Sequence, residues 1–383
     1  MQHSPYTPGT VTSELFGREK FLESANMRLA LLSTSPRLDG RITVFVGPRG
    51  VGKTSLLRVT EREAAHLGFL NLWVTAGEGS VVDSLLAQLL EVSSTWKSRS
   101  ADRLRQLLES LQFSFAGLRV AAPQRSESEF ADPALSRKLQ EVLVQAAQVS
   151  FDQRKSGLAI FIDELQLADP ESLRALAYAW QHMQSENPEI PAICFAAGLG
   201  NTQDVVTEAV SFAERFQYRL LGNLSSADAA KALENPAQAC GVRWHQEALN
   251  SALEACGGYP YFLQLYGDEC WKAASYPDPG AMILPSSAEQ GASEFALALE
   301  NFFRARWTKA TPKEAEFLVA MAATGHDEVD RKDIAEALGV STQAISTVRK
   351  QLIDKGIISA EHWGKLSFTA PGFGAYVREF HQS

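Results

Sequence analysis

The chain is poor in cysteine. Four thiols, Cys194, Cys240, Cys256 and Cys270, stand among 383 residues, and no two of them share a C-x-x-C spacing. Zinc-site spacing is therefore missing, and a chain of this length needs no disulfide framework, so reduced thiols and a cytoplasmic setting are expected. Long apolar runs are missing too. Nothing approaches the roughly 20 apolar residues that span a bilayer, and the polar start MQHSPYTPGTVTSELFGRE has no apolar stretch of the kind a secretory leader carries. No membrane partner is expected. Nor is there an excess of positive charge: 36 basic against 45 acidic residues leave a net −9. That excludes coating of nucleic acid by bulk charge, while a local basic face stays open.

What is present is ordinary globular composition, 45% hydrophobic and 21% charged, in a chain long enough for two or three domains. A helical pattern runs from about Glu19 to Leu32, followed by a strand, RITVFV. That strand enters GPRGVGKT and then a helix with Leu56, Leu57 and Leu67, closed by Gly68. FLNLWVTA, LAIFIDE and PAICFAAG read as further strands, separated by helical stretches. Asp169 is a natural N-cap, with Pro170 at the first position of a helix carrying Leu173, Leu176 and Trp180 inward. Strands alternating with helices predict an α/β fold with a mostly parallel sheet. FSFAGLRVAA alternates as a small hairpin would, and Pro123–Pro133 reads as a polar loop, in a region (97–156) without an interpretable motif. From about Leu224 the pattern turns wholly helical, broken by the Pro/Gly/Ser-rich YPDPGAMILPSS.

GPRGVGKT has the spacing G-x-x-x-x-G-K-[ST], with Gly47, Gly52, Lys53 and Thr54 at the fixed positions. Glycines let backbone N–H groups curl around phosphates, and the start of the next helix adds its dipole. Gly47, Pro48, Arg49, Gly50, Val51, Gly52, Lys53, Thr54 and Ser55 are therefore the expected cradle for ATP. Lys53 is expected to reach the β- and γ-phosphates and Thr54 to ligate Mg²⁺. The apolar strand ending in Asp163–Glu164 supplies the other half. Asp163 is expected to hold Mg²⁺ through its water shell, and Glu164 to act as general base on the attacking water. Both acids are otherwise explained only as caps of the next helix.

GPRGVGKT, IFIDELQ, the early Gly17-Arg18-Glu19 and the later GGYPYFLQ (Gly257–Gln264) together resemble the AAA-like P-loop ATPases. The archaeal-type ATPases, the origin-recognition initiators and the signal-transducing STAND NTPases are the similar groups, in a bacterial branch with a C-terminal winged helix. The resemblance runs from about Leu15 to Phe380. It implies Mg²⁺-dependent ATP hydrolysis and a domain order of P-loop core (1–223), helical lid and linker (224–310) and winged helix (311–383). By it Arg18 and Pro260 border the base or sugar, where a surface turn and an ordinary first-turn proline are the alternatives. It also implies a polar sensor at Asn201, otherwise a turn asparagine. Arg215 falls where such proteins place an arginine finger, which acts from a neighbouring copy and so implies a nucleotide-dependent homo-oligomer; Arg219 competes for the role, and a surface ion pair explains either. The chain departs from many such ATPases at Gly258-Tyr259-Pro260-Tyr261, where no lid arginine stands.

The last 73 residues repeat the order of a winged helix: Pro312–Ala323, Asp330–Gly339 and a third helix capped by Ser341, then two short strands joined at Trp363-Gly364-Lys365. On duplex DNA the third helix would offer Gln343, Ser346, Thr347 and Lys350, with Arg349 on its flank and Lys365 on the wing. Eight basic and ten acidic residues from 311 to 383 make the module acidic, which suits a protein-docking role. Three functions follow: an ATPase switch that engages DNA, a STAND-like signalling scaffold whose winged helix docks protein, or, more remotely, a loader or helper in replication or mobile-element biology.

Overall fold

The structure, a computed structural model, describes residues 1–12, 14–121, 133–210, 212, 215–360 and 364–382. It divides into two compact units, one of Lys20–Val46 and Leu56–Leu220, the other of Met1–Glu19, Gly47–Ser55 and Leu221–Ser383.

The first unit carries the sheet. Its elements are α1 (Glu19–Thr34), β1 (Ile42–Val46), α2 (Lys53–His66, whose first turn belongs to the second unit), β2 (Leu70–Thr75), α3 (Val81–Ser94), α4 (Arg99–Ala121), α5 (Pro133–Asp152), β3 (Leu158–Asp163), α6 (Pro170–Glu186), β4 (Ala192–Gly198), α7 (Thr202–Ala209) and β5 (Phe216–Leu220). All five strands are parallel, in the order β2-β3-β4-β1-β5. This is the P-loop ATPase fold, a parallel sheet flanked by helices. β1, β3 and β4 are buried at every position, as continuous apolar runs covered on both faces must be. A row of rings crosses four strands: Trp73 on Phe161 (6.2 Å), Phe161 on Phe195 (5.8 Å) and Phe195 on Phe45 (6.3 Å). Truncating a buried Phe in such a row typically costs ~3–5 kcal/mol, so the row fixes strand order as well as filling the core.

Local chemistry sets the helix boundaries. The Asp169 carboxylate accepts from Ser172 N–H (2.8 Å) and Pro170 opens α6, as its sequence predicts. Residues 113–121 do not form the expected hairpin but continue α4. The preceding Leu104, Leu108 and Leu111 are buried at helical spacing, and the helix they set continues through the alternating piece. The loop expected at Pro123–Pro133 falls largely outside the described residues.

In the second unit α8 (Ser226–Ala239), α9 (Gln246–Cys256), α10 (Pro260–Ala273) and α11 (Pro285–Trp307) pack together, but the segment is not wholly helical. β6 (Arg243–Trp244) pairs with β7 (Met282–Ile283), inside the Pro/Gly/Ser-rich stretch. Two-residue strands are too short to leave a period in sequence. The C-terminal elements are α12 (Pro312–Ala323), β8 (Glu328–Asp330), α13 (Arg331–Ala337), α14 (Ser346–Asp354), β9 (Ile358–Ser359), β10 (Lys365–Phe368) and α15 (Phe373–Gln382). The strands form an antiparallel sheet, β8-β10-β9, in which β8 was not expected. The third helix starts at Ser346, later than the Ser341 expected as its cap. Ser341 instead closes a turn through Ala344 N–H (3.0 Å to its carbonyl). Glu314, in a capping box with Thr311, also accepts from Lys355 (2.6 Å), tying α12 to the end of α14. Phe303 of α11 meets Phe373 (5.6 Å) and Tyr376 (5.5 Å) of α15. Among the described residues no helix is long and apolar enough to cross a membrane.

Candidate functional site

β1 ends at Val46, and the glycine-rich loop of the second unit begins at the next residue. Its shape follows from its glycines. A Cβ at Gly47 would stand 2.2 Å from Leu221 O, while Gly50 and Gly52 hold φ of +83° and +91°, which side chains other than glycine rarely adopt.

The carbonyls from Gly47 to Val51 are all engaged. Lys53 Nζ donates to Gly47 O (3.0 Å) and Pro48 O (2.7 Å). The Tyr259 hydroxyl donates to Arg49 O, and Tyr261 N–H to Gly50 O (3.1 Å). Arg18 donates to Val51 O (3.2 Å) and to Gly222 O (2.5 Å). Five successive carbonyls thus accept from protein donors. Among the described residues the amides of Arg49, Gly50, Val51 and Gly52 donate to no protein acceptor. Backbone donors without acceptors, next to a lysine and the first turn of α2, form a nest for an anion. A triphosphate fits that donor set.

Three residues in this arrangement carry little or no sequence signal. Tyr259 and Tyr261 lie in GGYPYFLQ, but only the fold shows that they grip the loop. Arg306, near the end of α11, lies close to Tyr259 and 3.6 Å over the Phe302 ring. It brings an arginine to the loop tip although Gly258–Tyr261 holds none, and burial pushes its pKa down. Burial likewise lowers the pKa of Arg18, opposed by Asp228 and Glu19. Arg18 therefore holds the loop backbone, and Pro260 is the first residue of α10. A Cβ on Gly50 would lie 2.6 Å from the Tyr259 hydroxyl. Gly50→Ala should therefore destabilise by roughly 1–3 kcal/mol, from left-handed strain plus the clash, and weaken nucleotide binding. An unchanged melting temperature and unchanged nucleotide titration would show that this grip is dispensable.

In the sheet unit Asp163 is buried at the carboxyl end of β3, and its Oδ1 accepts from Glu164 N–H (2.9 Å). Glu164 has left-handed backbone, φ +52° and ψ +39°, which costs a non-glycine residue roughly 1–3 kcal/mol and is commonest where function demands it. Gln166 is buried beside it, a residue to which sequence reasoning gave no role although it stands in IFIDELQ. Asn201 is buried at the N-cap of α7, yet its side chain does not cap the helix. Arg215 precedes β5, whose Phe216 pairs with Ile42 at the amino end of β1. It therefore lies at the sheet edge opposite the one where β3 presents Asp163. There it lines a cleft of about 560 Å³ with Arg37 and Arg41, and meets Gln184 (3.4 Å). Arg219 is exposed on β5, an edge strand.

In the C-terminal region Gln343, Ser346, Thr347, Lys350 and Lys365 are exposed and Arg349 is half-buried. Gln343 lies in the turn before α14, not on the helix. Ser346 accepts from Arg331 (2.9 Å), and Lys365 faces Glu328 (3.6 Å). Trp363 of the expected wing lies outside the described residues.

A glycine-rich loop between a buried strand and a helix, with an acidic pair at the end of β3, the next strand but one in the parallel sheet, is the arrangement of the P-loop ATPase fold. Residues 14–191 match the family described as the AAA ATPase domain, and residues 300–377 match a domain of unknown function, DUF8462. Among solved structures the chain is similar to the Walker-type ATPase paby2304 of Pyrococcus abyssi, at 14% identity and a TM-score of 0.60 over 97% of this chain and 98% of that one. It is also similar to the Aeropyrum pernix ORC2 protein, solved as ADPNP–ADP complexes, at 15% identity and a TM-score of 0.58 over 99% and 98%. At these identities the likeness is one of fold. No curated protein matches the chain.

Proposed function

We propose that this protein is an ATP-hydrolysing switch that engages duplex DNA through a C-terminal winged helix. The observation that carries the nucleotide half is the loop whose carbonyls from Gly47 to Val51 accept from protein donors while the amides of Arg49 to Gly52 donate to no protein acceptor among the described residues. In this reading Lys53 binds the β- and γ-phosphates, and Glu164 orients water and takes its proton. Thr54 and Asp163 are the residues that would hold Mg²⁺, which when bound supplies charge neutralisation at the phosphates. Asn201 serves as the polar sensor, and Arg18 and Pro260 border the base or sugar. Arg215, at the far sheet edge from Asp163, acts on the nucleotide of a neighbouring copy, in a nucleotide-dependent oligomer.

For DNA, the exposed residues about α14 support the reading: Ser346, Thr347 and Lys350 for the major groove, Gln343 at its entry, and Arg349 and Lys365 for phosphates. The acidic balance of the module, and the engagement of Ser346 by Arg331 and Lys365 by Glu328, favour the second reading, a STAND-like scaffold docking protein. Fluorescence anisotropy of a labelled duplex, with ATP-Mg²⁺, with ADP and with neither at two salt concentrations, separates the two. The DNA reading expects salt-sensitive, nucleotide-dependent binding that the paired change Arg349→Ala and Lys350→Ala weakens, with the salt slope falling by about 2. Absence of binding in every state at low salt would leave the docking module.

A further inference from the structure

We infer that Gln166 is a positioning residue that ties the Glu164 carboxylate to the β4–α7 turn, so that the base and the turn carrying Asn201 move as one body. The inference rests on the reading of Glu164 as the residue that activates water. Gln166 lies in the short helical turn Leu165–Leu167 that follows β3. Its side chain is buried and engaged at both ends. Nε2 donates to Glu164 Oε2 (2.5 Å), and Oε1 accepts from Leu199 N–H (2.9 Å).

The two partners fix which way the amide faces. A carboxylate needs a donor and a backbone N–H needs an acceptor, so the flipped amide would set oxygen against oxygen and N–H against N–H. Glutamine is thus read as a two-ended link, one residue joining the exit of β3 to the exit of β4. The turn it joins is itself closed. Leu199 O accepts from Thr202 N–H (3.0 Å) and from its hydroxyl (2.6 Å). Gly198 lets the link pass, because a Cβ there would stand 2.2 Å from the Thr202 hydroxyl and 2.8 Å from Gln166 Oε1. Any displacement of the Leu199–Thr202 turn is therefore passed to the Glu164 carboxylate through one buried amide.

A bland alternative is that Gln166 only satisfies the buried Leu199 N–H. The two differ in how they couple to Glu164, which a double-mutant cycle measures. ATP turnover, ATP affinity by calorimetry and melting temperature would be compared for the unmodified chain, Gln166→Leu, Gln166→Met, Glu164→Gln and the doubles. Gln166→Met keeps the length and volume of the side chain and serves where the Leu variant folds poorly.

We expect loss of the link to lower kcat by roughly 10- to 100-fold, the size of a lost hydrogen bond to a charged group, with ATP affinity within about threefold. In the Glu164→Gln background the same change should alter the residual rate by less than about twofold, since the carboxylate it positions is gone. Equal losses in both backgrounds, or a kcat within about twofold of the unmodified chain, overturn the inference. Turnover in Glu164→Gln alone within about tenfold of the unmodified chain overturns the reading of Glu164 instead, so the two failures are told apart.

Discussion

Lys53→Ala is expected to remove most ATP affinity, raising Kd by roughly 100-fold or more in calorimetry. The size follows from chemistry. An ammonium on a triphosphate makes charge-assisted hydrogen bonds worth about 1.5–3 kcal/mol each, and two such contacts account for at least a hundredfold. Lys53 also donates to Gly47 O and Pro48 O, so its removal loosens the loop that presents the four amides. Both effects act in the same direction. A melting curve of the nucleotide-free variant separates them, because loss of the loop contacts lowers stability without nucleotide and loss of phosphate contacts does not. Unchanged ATP binding would sink the assignment of Gly47–Thr54 as the phosphate cradle.

Glu164→Gln should have the opposite profile, with ATP still bound and turnover reduced to a small residual rate. The amide keeps the shape of the side chain but cannot take a proton from water. A positioned general base contributes about 10²- to 10⁴-fold, so single-turnover hydrolysis should fall by at least that lower figure. Affinity should be retained, because the cradle is made by the loop. Persistence of hydrolysis within about tenfold of the unmodified chain would mean that another residue activates water. The left-handed backbone of Glu164 gives a second expectation: Glu164→Gly should melt higher than Glu164→Ala, since glycine relieves strain that alanine keeps.

The sequence by itself determined the parts that depend on neighbours along the chain. β1, the loop and the start of α2 were legible because a buried strand, a glycine spacing and a helix onset follow one another within a few residues. β3 was legible as an unbroken apolar run, its acidic end as Asp163–Glu164, and α6 through Asp169 and Pro170. Where the local pattern was short or had two periods it misled, as at 113–121, at β6 and β7, and at the start of α14. Tertiary structure alone decided how the site is held. Tyr259 reaches Arg49 across 210 positions of sequence, and Arg18 reaches Gly222 across 204. Arg306 arrives at Tyr259 from a different helix, Gln166 finds Leu199 on another strand, and Arg215 joins Arg37 and Arg41 at the amino edge of the sheet. A window of sequence records backbone periodicity and nearest hydrogen bonds. Which donor meets a given carbonyl depends on how segments hundreds of residues apart bury their apolar faces, and that is settled only when the chain has packed.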